Sequence, residues 1–158
     1  YPPYTNTGTS QPKFDTRVDY TLTNGGVVTF SGGVGGTEGI INTGIGPFDI
    51  DQGSRLSYFS AKYENGARRV AFFTNLLTAD STNLISRELS GAFLPLAFDT
   101  KTFDVEAGDS RAIGTRNALT FGGNFRRNTF DVSLAPNGDD RNEGGAFVQD
   151  EIKEAAHA

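Results

Sequence analysis

Apolar and polar residues alternate with a period of two along most of this chain. In KFDTRVDYTL, Phe14, Thr16, Val18, Tyr20 and Leu22 fall on one side, and Asp15, Arg17, Asp19 and Thr21 on the other. Successive side chains of a strand point to opposite faces, so this spacing predicts a β-strand with one apolar and one charged face. In NALTFGGNFRRN, Leu119, Phe121 and Phe125 oppose Thr120, Asn124 and Arg126 in the same way.

Seven strands follow from this period: residues 13–22, 27–41, 55–63, 69–77, 101–113, 118–135 and 146–152. TNGG (23–26) and ENGAR (64–68) separate two pairs of them. Asn-Gly is a strong hairpin signal, and it predicts positive φ at both central turn residues. GTRN (114–117) is a third tight turn. Residues 42–54 and PNGDDRNEGG (136–145) have loop composition, and 78–99 fits a helical turn or an irregular loop equally well. The inward side is open at Phe72 and Phe73, from Tyr58 to Tyr63, and from Phe147 to Ile152. Short and long connections alternate, as in a transmembrane barrel with short turns at one rim and long loops at the other. The expected fold is therefore all-β: an antiparallel up-and-down meander of about seven strands, part of a transmembrane β-barrel. Residues 1–12 are expected as an irregular lead-in, 13–152 as the barrel segment and 153–158 as a polar tail.

Composition sharpens this picture. Only 36% of the 158 residues are hydrophobic, with 20 glycines and 13 phenylalanines. A sandwich core would not tolerate the Asp, Arg, Thr and Asn of the second face, whereas a wet lumen would. No apolar run of about 18 residues exists for a membrane-spanning helix, and no secretory signal opens the chain. Methionine is absent, so a processed chain or a piece of a longer one is expected. The lack of cysteine rules out disulfides and thiolate metal sites. A net charge of −5 argues against a nucleic-acid partner.

Candidate chemistry is sparse. Asp139, Asp140 and Glu143 could hold a hard cation in an outer loop, although their spacing departs from known calcium loops. A solvated loop is the better account, for them as for Asp49, Asp51 and Gln52. GGVGGTEG lacks the Lys-Ser/Thr ending of a phosphate loop. Asp15, Arg17, Asp19, Asp104, Glu106 and Arg126 are expected to face the lumen. The single histidine, His157, lies in the tail, and no nucleophile–base pair is visible. No enzyme activity and no cofactor are expected.

NALTFGGNFRRNTFDVSLAPNGDDRNEGGAFVQDEI closely resembles a barrel segment of the TonB-dependent outer-membrane receptors: an upward strand, an outer loop and a downward strand. YTLTNGGVVTFSGGVGGTEGIINTGIGPFDI looks like an earlier hairpin of such a barrel, and the likeness runs from about Pro12 to Ile152. The resemblance implies a wall segment of a receptor in a Gram-negative-type outer membrane, importing a scarce nutrient such as a metal chelate or an oligosaccharide. Its partners would be outer-membrane lipid, the rest of the barrel, the plug domain and, through the plug, TonB. The plug, the TonB-contacting box and the closing aromatic strand have no counterpart here, and such barrels have about 22 strands. Two alternatives stand beside this reading. One is an extracellular β-protein or filament subunit that self-associates through open strand edges. The other is a small autonomous outer-membrane barrel, with residues 82–98 supplying an eighth strand.

Overall fold

The computed structural model of the chain describes residues 8–44, 46–133 and 135–152. The expected tail, with His157, and the first seven residues of the expected lead-in lie outside the described residues. The described chain is all-β and contains nine strands and no helix. These are β1 (Lys13–Thr21), β2 (Val27–Gly36), β3 (Gly39–Thr43), β4 (Gly46–Ile50), β5 (Arg55–Asn65), β6 (Arg68–Arg87), β7 (Phe93–Ile113), β8 (Asn117–Val132) and β9 (Arg141–Ile152).

Seven of them form the expected antiparallel meander, side by side in the order β1-β2-β5-β6-β7-β8-β9. β3 and β4 branch off as a hairpin, and β4 pairs with β6 through Phe48–Asn83, Asp49–Thr82 and Ile50–Ser81. β4 thus continues the sheet beside β6 where β5 has ended. β1 and β9 do not pair, so the sheet is open and not closed into a barrel.

Element boundaries differ from the sequence expectation in four places. The strand expected over 27–41 breaks after Gly36 and resumes as β3, where Gly39 has φ +120°. Residues 42–54, expected as a loop, contain β4. The undecided stretch 78–99 prolongs β6 to 20 residues and β7 to 21, joined by a turn closed by the Glu88 and Gly91 backbones. Short polar residues hide the period there, and hydrogen bonds hold the strand instead. The Asn83 carboxamide oxygen accepts the N–H groups of Ile85 and Ser86, at 2.9 and 2.7 Å, as the register jumps from Asn83 to Arg87. Residues 82–98 therefore add no eighth strand to the meander. Finally, β9 begins at Arg141, inside the expected acidic loop.

The Asn-Gly turns form, but with different geometry. Among the described residues no non-glycine has positive φ, while Gly25 has φ +81° and Gly66 φ +59°. The Gly25 N–H donates to the Leu22 carbonyl at 3.0 Å, and the Leu22 N–H donates to Gly26 at 2.7 Å. A type I turn followed by a left-handed glycine bulge satisfies this pattern with one glycine. At the second turn, Asn65 pairs directly with Arg68 and Gly66 takes the first central position, as a II′ turn requires.

Packing is that of a single layer. Among the described residues only Phe48 (5% exposed) and Leu96 (3%) are buried large apolar side chains, both at the β4–β6–β7 end. Ser54 ties this end together by donating to the Asp80 carbonyl and accepting the Asp80 N–H, each at 3.2 Å.

Candidate functional site

The register sorts the meander into two faces. One row of cross-strand partners reads Val18, Phe30, Ala61, Phe72, Val105 and Phe125. The adjacent row, pointing the other way, reads Arg17, Ser31, Ser60, Phe73, Asp104 and Arg126. Fourteen of the exposed large apolar side chains share the first face, from Phe14 and Val18 on β1 to Val148 and Ile152 on β9. The rings of Phe30, Phe59 and Phe72 run across three strands there, with centroids 6.4 and 6.2 Å apart. The faces left open by the sequence are now fixed. Phe72 is on the apolar face and Phe73 opposite. Phe59, Ala61 and Tyr63 oppose Tyr58, Ser60 and Lys62, and Val148 opposes Phe147 and Gln149.

The apolar face has polar limits at both ends. On β7 it spans Phe103–Ala107 between Lys101 and Asp109, and on β8 Leu119–Phe125 between Asn117 and Arg127. Ion pairs sit along these limits: Lys101–Asp99 at 3.2 Å and Arg127–Asp140 at 3.1 Å at one, Arg111–Asp109 at 3.1 Å at the other. From β1 to β7 the midpoint of the apolar stretch stays within one residue of the row Arg17, Ser31, Ser60, Phe73 and Asp104, and it steps along the strand only at β8. The midpoint on β1, Arg17, has Arg126 as its row partner on β8, whereas the β8 stretch centres on Gly122.

All six residues expected to face a lumen lie on the polar face. They form two groups rather than one. Near the free edge, Arg17 pairs with Asp19 at 2.9 Å, Thr29 donates to Asp19 at 2.6 Å, and the Tyr58 hydroxyl donates to Asp15. In mid-sheet, Arg126 pairs with Asp104 at 2.7 Å and Arg69 with Glu106. Asp104, Glu106 and Arg126 line a shallow hollow of about 160 Å³ with Gly123, Asn124 and Phe147. Sequence reasoning missed Tyr58 and Arg69 as partners. The cross-strand register that brings them in depends on turn geometry, which the period alone does not fix.

The acidic-loop residues do not converge. Asp140 faces Arg127 and Glu143, already in β9, faces Arg141 at 2.8 Å. Among the described residues no group of three His, Cys, Asp or Glu could hold a metal ion. In the other loop, Asp51 donates its N–H to the Asp80 carbonyl at 2.9 Å. Its carboxyl is pushed above the ordinary range by lost hydration, and further by the carboxylates of Asp49 and Asp80. This arrangement of paired, exposed charges can orient polar solutes. No protein-family model, curated protein or solved structure matches the chain.

Proposed function

We propose that this chain forms part of the wall of an outer-membrane β-barrel, with the apolar face against lipid and the charged face toward a water-filled lumen. The observation that carries the proposal is the exposed apolar band: single-layered, continuous across the meander, and limited on β7 by charges at both ends. Covering a half-exposed Val, Phe or Tyr is worth about 1 kcal/mol, so the twelve that lie within the polar limits amount to on the order of 10 kcal/mol. That rivals the whole stability of a typical domain, about 5–15 kcal/mol, so water is a poor solvent for this face.

The resemblance of residues 117–152 extends the proposal to a TonB-dependent receptor importing a metal chelate or an oligosaccharide. The wall's share is to span the bilayer, enclose polar groups and carry the loop end formed by β3, β4 and the tips of β6 and β7. Energy coupling belongs to the plug in that family and to no residue described here.

The chain has no tryptophan, so a single one is a clean reporter. Phe103→Trp, on the apolar face, and Phe147→Trp, on the polar face, are compared in vesicles containing bromine-labelled acyl chains. Strong quenching of the first with little of the second is expected. Equal quenching at both positions, or none at either, would refute the wall reading.

The unpaired edges of β1 and β9 favour a second reading, an extracellular protein that assembles edge to edge. In that case both reporters escape the bromine label.

A further inference from the structure

β1 is exposed along all nine of its residues, and its outer side has no partner among the described residues. Which of its backbone groups face that side follows from the pairing with β2. The Gly36 N–H donates to the Pro12 carbonyl at 2.8 Å, and the Leu22 N–H to the Gly26 carbonyl at 2.7 Å. Even-numbered residues therefore hydrogen-bond to β2, and odd-numbered ones turn their N–H and C=O groups outward. The outward set is Gln11, Lys13, Asp15, Arg17, Asp19 and Thr21, whose side chains all lie on the polar face.

Four successive members of that set alternate in sign: Lys13, Asp15, Arg17, Asp19. Read backwards, plus-minus-plus-minus becomes its own complement. We propose that the free edge of β1 pairs antiparallel with β1 of a second copy of this chain, with Thr16 opposite Thr16 on the twofold axis. This register sets Lys13 opposite Asp19 and Asp15 opposite Arg17, twice each, giving four cross-strand ion pairs. On the apolar face it sets Phe14 opposite Val18 and Pro12 opposite Tyr20, with the two Thr16 side chains between. Opposite charges and apolar pairs directly across an antiparallel ladder are the stabilising combinations, and like charges the destabilising ones.

The same pattern rejects the neighbouring registers. Sliding one step sets Asp15 opposite Asp19 and Arg17 opposite Arg17. Sliding the other way sets Asp15 opposite Asp15 and Lys13 opposite Arg17. The contact is isologous, so it closes at two copies and does not propagate into a filament through this edge. It keeps the apolar faces of the two sheets on one side and needs only the edge of β1. It uses the edge that a barrel wall gives to its next strand, so under the wall reading it requires that next strand to be β1 of an inverted copy.

Cysteine scanning tests the register directly, because the full chain has no cysteine of its own. In this register Thr16 and its counterpart form a non-hydrogen-bonded pair with Cα atoms about 4.5 Å apart, within disulfide range. The folded chain in detergent micelles, oxidised as Thr16→Cys, is expected to cross-link to a dimer. Val18→Cys alone should stay monomeric, since its counterpart lies about 13 Å along the strand. A mixture of Phe14→Cys and Val18→Cys should cross-link as a heterodimer.

Asp15→Lys, which creates two like-charge pairs, should abolish the Thr16→Cys cross-link. Reversing all four charges (Lys13→Asp, Asp15→Lys, Arg17→Asp and Asp19→Lys) should restore it, with no cross-linking to the unreversed chain. A monomeric Thr16→Cys chain together with an unlinked Phe14/Val18 mixture overturns the proposal. So does equal cross-linking at all three positions, which marks unspecific edge contact.

Discussion

Val105→Arg separates a lipid-facing wall from a sheet that meets water on both sides. Val105 is 45% exposed at the centre of the β7 apolar stretch; on β7 the nearest same-face charges, Lys101 and Asp109, are four residues away in either direction, and on β8 the nearest is Arg127, opposite Phe103. Along β7 itself the charges are about 13 Å away, while Arg127 lies about 8 Å off and repels a new guanidinium rather than pairing with it. An arginine near the bilayer midplane on the lipid face of a barrel costs about 2–4 kcal/mol. Losing the half-buried valine adds about 1 kcal/mol. The expected loss is thus about 3–5 kcal/mol in vesicles, whereas an exposed position in water would change by within about 0.5 kcal/mol. Asn124→Arg is the companion: it lies on the polar face opposite Glu106 and should stay within about 0.5 kcal/mol. Urea unfolding followed by far-ultraviolet circular dichroism in vesicles gives both values. Equal costs for the two substitutions, or a Val105→Arg cost below about 1 kcal/mol, would refute the assignment of faces.

Three further outcomes are expected. The Thr74 hydroxyl oxygen is buried without a hydrogen-bond partner, so Thr74→Val should stabilise the sheet by about 1 kcal/mol in urea titration; a loss would reveal a hidden partner. Gly108 and Gly122 are direct cross-strand partners, yet a Cβ on Gly122 would meet the Ala107 carbonyl oxygen at 2.7 Å and the Phe147 ring at 2.9 Å, while one on Gly108 meets only the Phe121 oxygen at 3.5 Å. Gly122→Ala should therefore cost about 1–3 kcal/mol in the same titration, and Gly108→Ala should be neutral or gain up to about 1 kcal/mol. Because the Asp51 carboxyl binds its proton more tightly in the folded loop than its ordinary 3.8, the neutral form favours the fold. Stability is then highest below that value and falls as pH rises through the raised folded one; Asp51→Asn should flatten this part of the stability–pH curve, and an unchanged slope would assign it elsewhere.

Much of the fold is legible in the sequence because the period of two reports directly on burial asymmetry. Phe14 to Tyr20 and Leu119 to Phe125 declare their faces without reference to any neighbour. Consecutive large apolar residues defeat that logic: Phe72 and Phe73, or Phe147 and Val148, can be assigned only once the rows of partners are known. The long β6–β7 hairpin escaped for a different reason. Ser81, Thr82, Asn83 and Ser86 carry little hydropathy contrast, and their order rests on side-chain hydrogen bonds and pairing with a distant segment. For the candidate site, the sequence supplied the polar members but not their grouping, since Tyr58 reaches Asp15 and Arg69 reaches Glu106 only through register.

The meander has a consequence in its parity. Six successive antiparallel pairings reverse the chain direction six times, so β1 and β9 run the same way. Rolled into a cylinder, this sheet would bring two parallel edges together and could not complete an antiparallel wall. A copy inserted beside it in the same orientation meets the same mismatch at each seam. Only an odd number of further strands between β9 and β1, or an inverted copy, restores alternation. Closure therefore depends on how many strands arrive, and not only on how well their side chains match.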